Sequence, residues 1–127
     1  MVRNVQDLAQ QGLNVSLTPR GAGTCMSGGS LTESVMVDLK PNFSWIGDLD
    51  TNERTVWVGS GTYLRDLQAA LDPHKLLFAP YPSSKDLCTI GGLVGNNASG
   101  EKSIRYGATI DNVVALRMVC RDRKSVV

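Results

Sequence analysis

The stretch that most constrains this chain is PRGAGTCMSGGS, from Pro19 to Ser30, which holds four glycines and no carboxylate. Apolar segments flank it on both sides, so it is a loop within a domain and not a linker. Its small side chains let successive backbone N–H groups surround an anion closely. A glycine-rich turn without any ligand explains the stretch equally well, and the loop alone leaves both interpretations open.

Two known phosphate-binding loops do not match this stretch. It lacks the Gly-Lys-Ser/Thr ending of a mononucleotide P-loop. Gly21 and Gly23 form a G-x-G, but Met26 stands where the third glycine of a Rossmann fingerprint is expected. The pattern after the loop predicts a strand instead of a helix, so no helix N-terminus is expected to receive the phosphate.

A second glycine-rich segment, CTIGGLVGNNASGEKSIRYG, runs from Cys88 to Gly107. Gly91 and Gly92 permit a close approach of the backbone to a flat or extended ligand. Asn96, Asn97 and Ser99 supply short donors and acceptors. Two such segments in one small chain predict a ligand with two polar regions and an apolar body.

Helical periodicity occurs twice before the second segment. Asn4 is expected to cap a first helix whose apolar face carries Val5, Leu8 and Ala9 and which ends at Gly12. Thr62 is expected to cap the helix YLRDLQAALD. Its apolar stripe is predicted to consist of Leu64, Leu67, Ala70 and Leu71. Pro73, Pro80 and Pro82 then interrupt regular structure.

Strand patterns lie between and after these helices. VSLTP predicts a strand that leads into the glycine-rich stretch PRGAGTCMSGGS, called the opening loop below. In Ser34 to Leu39, apolar and polar side chains alternate, which places Val35, Val37 and Leu39 on one face of a strand. FSWIGDLDTNERTVWVGSG predicts a hairpin whose turn lies near Asp50 to Glu53, and NVVALRMVC predicts an apolar strand. The mixed order of helices and strands indicates an α+β fold with mixed sheets and flanking helices.

Length and composition set limits on the class of protein. With 127 residues, 42% hydrophobic and 20% charged, the chain makes one modest domain. A formal net charge of +1 gives no reason to expect nucleic acid as a partner. No apolar run approaches a membrane span or a signal peptide, and three widely spaced cysteines form no zinc pattern. We therefore expect a cytoplasmic protein with no metal site.

The paired motifs resemble the FAD-binding (PCMH-type) domain of the vanillyl-alcohol oxidase / p-cresol methylhydroxylase superfamily. PRGAGT.MSGGSL followed by APYPSSKDLCTIGGLVGNNASGEKSIRYG is most similar to the FAD-linked 2-hydroxy-acid dehydrogenases, which include D-lactate, glycolate and D-2-hydroxyglutarate enzymes. The resemblance implies a partial PCMH-type domain whose opening loop holds the FAD pyrophosphate on backbone amides of Arg20 to Cys25.

The same resemblance implies that Ser83 to Thr89 and Asn96 to Ser99 line the flavin and the rest of the cofactor. The implied cofactor-binding set is Pro19, Arg20, Gly21, Ala22, Gly23, Thr24, Cys25, Ser27, Gly28, Gly29, Ser83, Leu87, Cys88, Thr89, Gly91, Gly92, Asn96, Asn97, Ala98, Ser99 and Tyr106. It assigns no catalytic residue within the chain.

Two positions in the opening loop bear on how FAD would be held. Cys25 stands where these enzymes commonly have glycine, which costs about 1 kcal/mol or more only if the residue must be left-handed. Thr24 stands where relatives that tether flavin covalently have histidine. The resemblance therefore implies non-covalent FAD.

Other notable side chains have structural explanations. His74 lacks an identifiable carboxylate partner, which favours a solvated loop residue over a general base. Cys88 is expected to pack as a small hydrophobe, and Trp45 and Trp57 to pack across the hairpin. Arg105 and Tyr106 either touch the cofactor or anchor their loop, and the sequence does not separate these alternatives.

The ends of the chain suggest a piece of a longer enzyme. We expect residues 1–121 to be a partial FAD-binding domain truncated at both ends, without its C-terminal substrate domain. Residues 122–127, DRKSVV, match one reading frame of a sequencing adapter and are expected to be a non-native tail.

Two functions are consistent with these features. The first is a fragment, inactive by itself, of an FAD-dependent oxidoreductase that oxidises a 2-hydroxy acid by hydride transfer to flavin. The second is a stand-alone flavin or nucleotide-binding module without catalysis.

Overall fold

A computed structural model describes residues 2–119 and 125–126. From its N-terminus the chain forms helix α1 (Val2–Gln10), strands β1 (Leu17–Arg20) and β2 (Val35–Asp38), and helices α2 (Lys40–Phe43) and α3 (Leu64–Leu71). A 3₁₀ turn at Asp72–His74 follows, then helices α4 (Ile90–Gly95) and α5 (Ser103–Tyr106), a 3₁₀ turn at Thr109–Asn112, and strands β3 (Met118–Val119) and β4 (Ser125–Val126). The α+β class with mixed sheets is confirmed.

Strands β1 and β2 form a parallel pair, with Leu17 opposite Val35 and Arg20 opposite Asp38. Parallel strands need a crossover of a dozen or more residues, and residues 21–34 supply it without a helix. Both predicted strands are confirmed, although Val35 is exposed and only Val37 and Leu39 are half-buried. The connection at residues 21–34, which contains most of the opening loop, is therefore fixed at both ends by one ladder.

The predicted hairpin is present with little regular strand. Antiparallel bridges join Ile46 to Val58 and Asp50 to Thr55. The Asp50 carboxylate accepts hydrogen bonds from the backbone N–H groups of Asn52 and Glu53, as in an Asx turn. Trp45 and Trp57 lie on opposite arms as predicted, but both are about half exposed. The Arg117 guanidinium lies 5.7 Å from the centre of the Trp57 ring.

The core forms around α3. Leu64, Leu67 and Leu71 are buried and pack with Cys88 and with Leu93 of α4. Burying a leucine side chain contributes about 1.5–3 kcal/mol, so this stripe fixes α3 against the segment that carries the second set of predicted cofactor contacts.

Two predictions for α3 are wrong. Ala70 is exposed, because the buried stripe follows the leucine positions and turns away from it. Thr62 does not cap the helix, since Tyr63 occupies the cap position without a side-chain hydrogen bond. The Thr62 hydroxyl instead donates to the Trp45 carbonyl and accepts the Trp45 N–H, both at 3.0 Å. The Thr62 hydroxyl therefore bonds the backbone of Trp45, which is distant in the sequence, instead of an N–H group in the first turn of α3.

The first helix and the last strand also differ from prediction. Helix α1 begins at Val2, so Asn4 lies inside it and is not its cap, whereas Gly12, with φ +82°, follows its end as predicted. Among the residues of NVVALRMVC that the structure describes, only Met118–Val119 is a strand, pairing with Ser125–Val126. Asn112 ends a 3₁₀ turn instead, and Cys120 lies outside the described residues. Most of residues 122–127 also lie outside them.

Candidate functional site

Two glycines in the opening loop adopt left-handed backbone conformations. Gly23 has φ +74° and Gly28 has φ +73°, values that side chains with a Cβ disfavour. A Cβ atom on Gly23 would also lie 2.8 Å from an Arg20 guanidinium nitrogen. Cys25 is not left-handed, so the cysteine causes no backbone strain there.

The first half of the opening loop leaves its backbone donors free. Within the described residues, none of the N–H groups from Gly21 to Met26 donates a hydrogen bond. The second half is internally bonded, since Gly28 N–H donates to the Cys25 carbonyl and Leu31 N–H to the Gly28 carbonyl. A run of free amides beside a bonded turn is an arrangement that can receive an anion.

Cys25 lies in the bend between these two halves. Its sulfur is 3.2 Å from the Ser27 hydroxyl and 3.8 Å from Oδ1 of Asn96 in the second segment. The Ser27 hydroxyl, helped by the N–H groups of Gly29 and Ser27, lowers the pKa of Cys25 from 9.0 to about 7. The loop therefore favours negative charge at a position that touches both glycine-rich segments.

The contact of Cys25 with Asn96 is one junction between the two glycine-rich segments, and Thr89 forms the second. Its side chain is 1% exposed, and its Oγ1 has no hydrogen-bond partner among the described residues. A Cβ atom on Gly21 would collide with that oxygen, and one on Gly92 would lie 3.5 Å from it. The two glycine-rich segments thus meet directly at an unpaired hydroxyl.

Glycine is also required where the second segment packs against the rest of the fold. Gly91, the second residue of α4, lies beside Ser60, where an added Cβ would be 2.8 Å from the Ser60 carbonyl oxygen. The Gly91 N–H donates to that same oxygen at 2.8 Å. A Cβ on Gly100 would collide with the Tyr81 carbonyl. The absence of side chains at these two positions lets the segment approach residues 60 and 81 closely, and the Gly91 hydrogen bond holds it to residue 60.

Not every predicted contact is free to meet a ligand. Asn97, at φ 45°, accepts the Ile110 N–H with its side-chain oxygen, and the Ala98 carbonyl accepts both the hydroxyl and the N–H of Thr109. These interactions anchor the loop to the 3₁₀ turn. Asn96 and Ser99 remain exposed.

Several other predicted residues lie apart from the two junctions. Pro19 is in β1 opposite Val37, while Ser83, Leu87 and Tyr106 are exposed. Cys88 is 2% exposed in the core, and this burial raises its pKa, as expected of a packing residue. His74 is exposed in its 3₁₀ turn, again as expected.

Arg105 lies with its guanidinium 5.3 Å from the ring centre of Tyr106. The Tyr106 carbonyl accepts a hydrogen bond from Asn112. These contacts favour the anchoring alternative for this pair without placing it against either junction.

Sequence reasoning missed two residues that support the glycine-rich segments from outside them, Lys40 for the opening loop and Ser60 for the second segment. Lys40 donates to the Gly21 carbonyl at 3.1 Å, and Ser60 contacts Gly91. The position of Lys40 just after β2 was the available signal, because parallel strands end at the same edge of a sheet.

The family of the chain follows from comparison with known proteins. A sequence profile described as "FAD binding domain" matches residues 2–126. The chain belongs to this family of FAD-binding domains. D-2-hydroxyglutarate dehydrogenase of Pseudomonas putida is 45% identical over 105 residues, which cover 83% of this chain and 10% of that protein. Glycolate oxidase subunit GlcD of Escherichia coli is 35% identical, covering 90% of this chain and 23% of that protein.

Solved structures agree with this assignment at the level of the fold. Alkyldihydroxyacetonephosphate synthase superposes with a TM-score of 0.82 at 24% identity, covering 98% of this chain and 26% of that chain. A variant of Phl p 4, a glucose oxidase, gives a TM-score of 0.74 at 23% identity, covering 99% and 27%. The chain thus spans about a tenth to a quarter of the length of the proteins it matches.

The geometry is compatible with the cofactor of this family. Free amides from Gly21 to Met26 suit a pyrophosphate, and the buried unpaired Thr89 hydroxyl lies beside the start of that run. Within the described residues, no group of three His, Cys, Asp or Glu side chains is arranged to hold a metal ion. No helix in the described part of the chain is long and apolar enough to cross a membrane.

Proposed function

We propose that this chain is the cofactor domain of an enzyme that oxidises a 2-hydroxy acid with FAD. The names of its relatives support the substrate class, since D-2-hydroxyglutarate, glycolate and D-lactate all carry a hydroxyl beside a carboxylate. The relatives are also much longer than this chain, which supports a separate substrate domain in the intact enzyme. Residues 1–121 form the domain in this proposal, and 122–127 are a non-native tail.

The observation that carries the proposal is the free run of amides in the opening loop. Six consecutive residues, 21–26, present N–H groups without partners among the described residues, and the first five have small side chains that leave room for a ligand. Charge-assisted hydrogen bonds from such amides contribute about 1.5–3 kcal/mol each. The loop therefore holds the pyrophosphate, while the exposed Asn96 faces the remainder of FAD and the buried Thr89 and half-buried Gly91 support the segment behind it.

The protein binds and orients the cofactor, and bound FAD supplies the chemistry by accepting a hydride from the carbon that bears the substrate hydroxyl. Thr24 lacks the imidazole nitrogen through which flavin would be tethered at this position, and we assign retention to non-covalent contacts. A small loop that must hold FAD without a tether needs several amides acting together.

A titration with three ligands tests the binding proposal. FAD contains the pyrophosphate and both rings, ADP contains the pyrophosphate without flavin, and riboflavin contains flavin without phosphate. We expect the purified chain to bind FAD most tightly and ADP more tightly than riboflavin, measured by calorimetry. If riboflavin binds as well as FAD while ADP does not bind, the opening loop does not hold the pyrophosphate.

The substrate class is tested in a longer protein that carries this domain with the rest of its reading frame. D-2-hydroxyglutarate, D-lactate and glycolate are each added without oxygen, and loss of the oxidised-flavin absorbance is followed. At least one is expected to reduce the flavin. Reduction by none of them, in a protein that retains FAD, would reject the 2-hydroxy acid and leave the cofactor assignment intact.

A further inference from the structure

Lys40, the first residue of α2, makes contacts that connect the opening loop to the end of β2. Its ammonium group donates to the Gly21 carbonyl at 3.1 Å and to the two Asp38 carboxylate oxygens at 2.9 and 3.0 Å. An ammonium has three protons, so these three acceptors use its full capacity. These contacts hold the Lys40 side chain in one conformation.

The backbone under Lys40 is also held in place. The Leu39 N–H donates to the Arg20 carbonyl at 2.9 Å, which extends the β1–β2 ladder to the start of α2. The Lys40 N–H donates to Asp38 Oδ1 at 3.0 Å. An added Cβ on Gly61 would lie 2.8 Å from the Lys40 Cα, so residue 61 packs closely against the backbone of Lys40.

The consequence for the loop follows from the planarity of the peptide bond. In a trans peptide the C=O and the N–H point in opposite directions. Because Lys40 holds the Gly21 carbonyl on its own side, the Ala22 N–H must point to the opposite side. The same contact keeps a partially negative oxygen away from the face where a phosphate would bind.

We propose that Lys40 is a positioning residue for the dinucleotide: by holding the Gly21 carbonyl, it aims the Ala22 N–H of the opening loop at the pyrophosphate. The inference rests on the proposed function of that loop. Asp38 neutralises the ammonium charge at 2.9 Å, so the role of Lys40 is orientation of a peptide and not long-range attraction of an anion.

Substitution of Lys40 by methionine tests this role, because methionine keeps a long unbranched side chain without a donor. The affinity of the full chain for FAD and ADP is expected to fall about tenfold, the equivalent of one well-formed charged hydrogen bond, while riboflavin affinity stays within twofold. Lys40→Arg keeps a cationic donor and is expected to recover most of the lost affinity. Lys75→Met applies the same change to an exposed lysine and is expected to have no effect.

Different failures have different meanings in this experiment. If the unaltered chain binds neither FAD nor ADP, the proposed function fails. If it binds both and Lys40→Met binds FAD within twofold of it, only the role of Lys40 is rejected. An equal loss of riboflavin affinity would also reject it, because a distorted fold would then explain the change.

A second measurement covers the case in which Lys40→Met does not fold. In the unaltered, nitrogen-15-labelled chain, the Ala22 amide resonance is expected to shift strongly when ADP is added. An Ala22 amide that does not respond to saturating ADP would overturn the proposal without any variant.

Discussion

The contact between Gly21 and Thr89 predicts a double-mutant cycle. Gly21 does not have a left-handed φ, so Gly21→Ala causes no backbone strain. The new methyl would collide with the buried Thr89 Oγ1, whereas its contact with the Thr89 Cβ at 3.3 Å is tight but can be relieved by a shift of a few tenths of an ångström. The clash therefore depends on one oxygen, and Thr89→Ala removes it.

The size of each effect follows from this geometry. Overpacking of this kind costs about 1–3 kcal/mol, which lowers the melting temperature by several degrees in a domain of this size. Thr89→Ala alone should cost about 1 kcal/mol or less in the absence of cofactor, since loss of a buried methyl is partly offset by removal of a hydroxyl that has no partner among the described residues. The double variant should recover most of the stability that Gly21→Ala loses.

Thermal unfolding of the four proteins measures the coupling directly. We expect an interaction free energy of about 1–3 kcal/mol between the two positions. Gly92→Ala is a matched control, because its methyl would lie 3.5 Å from the same oxygen, an ordinary contact distance. If the two single changes add without coupling, the two glycine-rich segments do not meet as described.

Four further outcomes are expected. Ser27→Ala should weaken FAD binding only about tenfold, because one lost hydroxyl bond is partly replaced by water. Thiolate formation at Cys25 as the pH rises through about 7 should weaken FAD binding, and Cys25→Ser should remove this dependence. In the cofactor-free chain, the lowered pKa of Cys25 means that its thiolate stabilises the fold. This contribution is complete above pH 9.0, the ordinary pKa, and is lost as the pH falls through about 7. Among the described residues, 18 large hydrophobic side chains are exposed, and they should make the chain bind a hydrophobic dye and self-associate, as dye fluorescence and size exclusion would show. A monodisperse chain that binds no dye would contradict this.

Local patterns predicted the parts of the fold that local physics controls. Alternation identified β2, the leucine spacing identified the buried face of α3, and Gly12 identified the end of α1. The caps assigned to Asn4 and Thr62 were wrong, because helix α1 begins earlier and a tertiary partner took the Thr62 hydroxyl. Periodicity carries no information about such partners.

The same distinction applies to the site. The glycines of the opening loop were recognisable because their freedom is a property of the residue type. The contacts of Gly21 with Thr89 and of Cys25 with Asn96 join positions far apart in the sequence, and only the packed structure places them together. Lys40 was missed for the same reason, since a lysine after a strand is usually just a solvated charge.

The most direct test of the central claim compares valine at Gly23 with valine at Gly12. Both glycines are left-handed, at φ +74° and +82°, so both substitutions cost about 1–2 kcal/mol or more of backbone strain. Gly12 has nothing within 4 Å of an added Cβ and lies outside the loop. Loss of two or three amide contacts would lower FAD affinity by about two to six powers of ten. We predict that Gly23→Val loses FAD and Gly12→Val retains it; stoichiometric FAD in folded Gly23→Val would show that the opening loop does not hold the pyrophosphate.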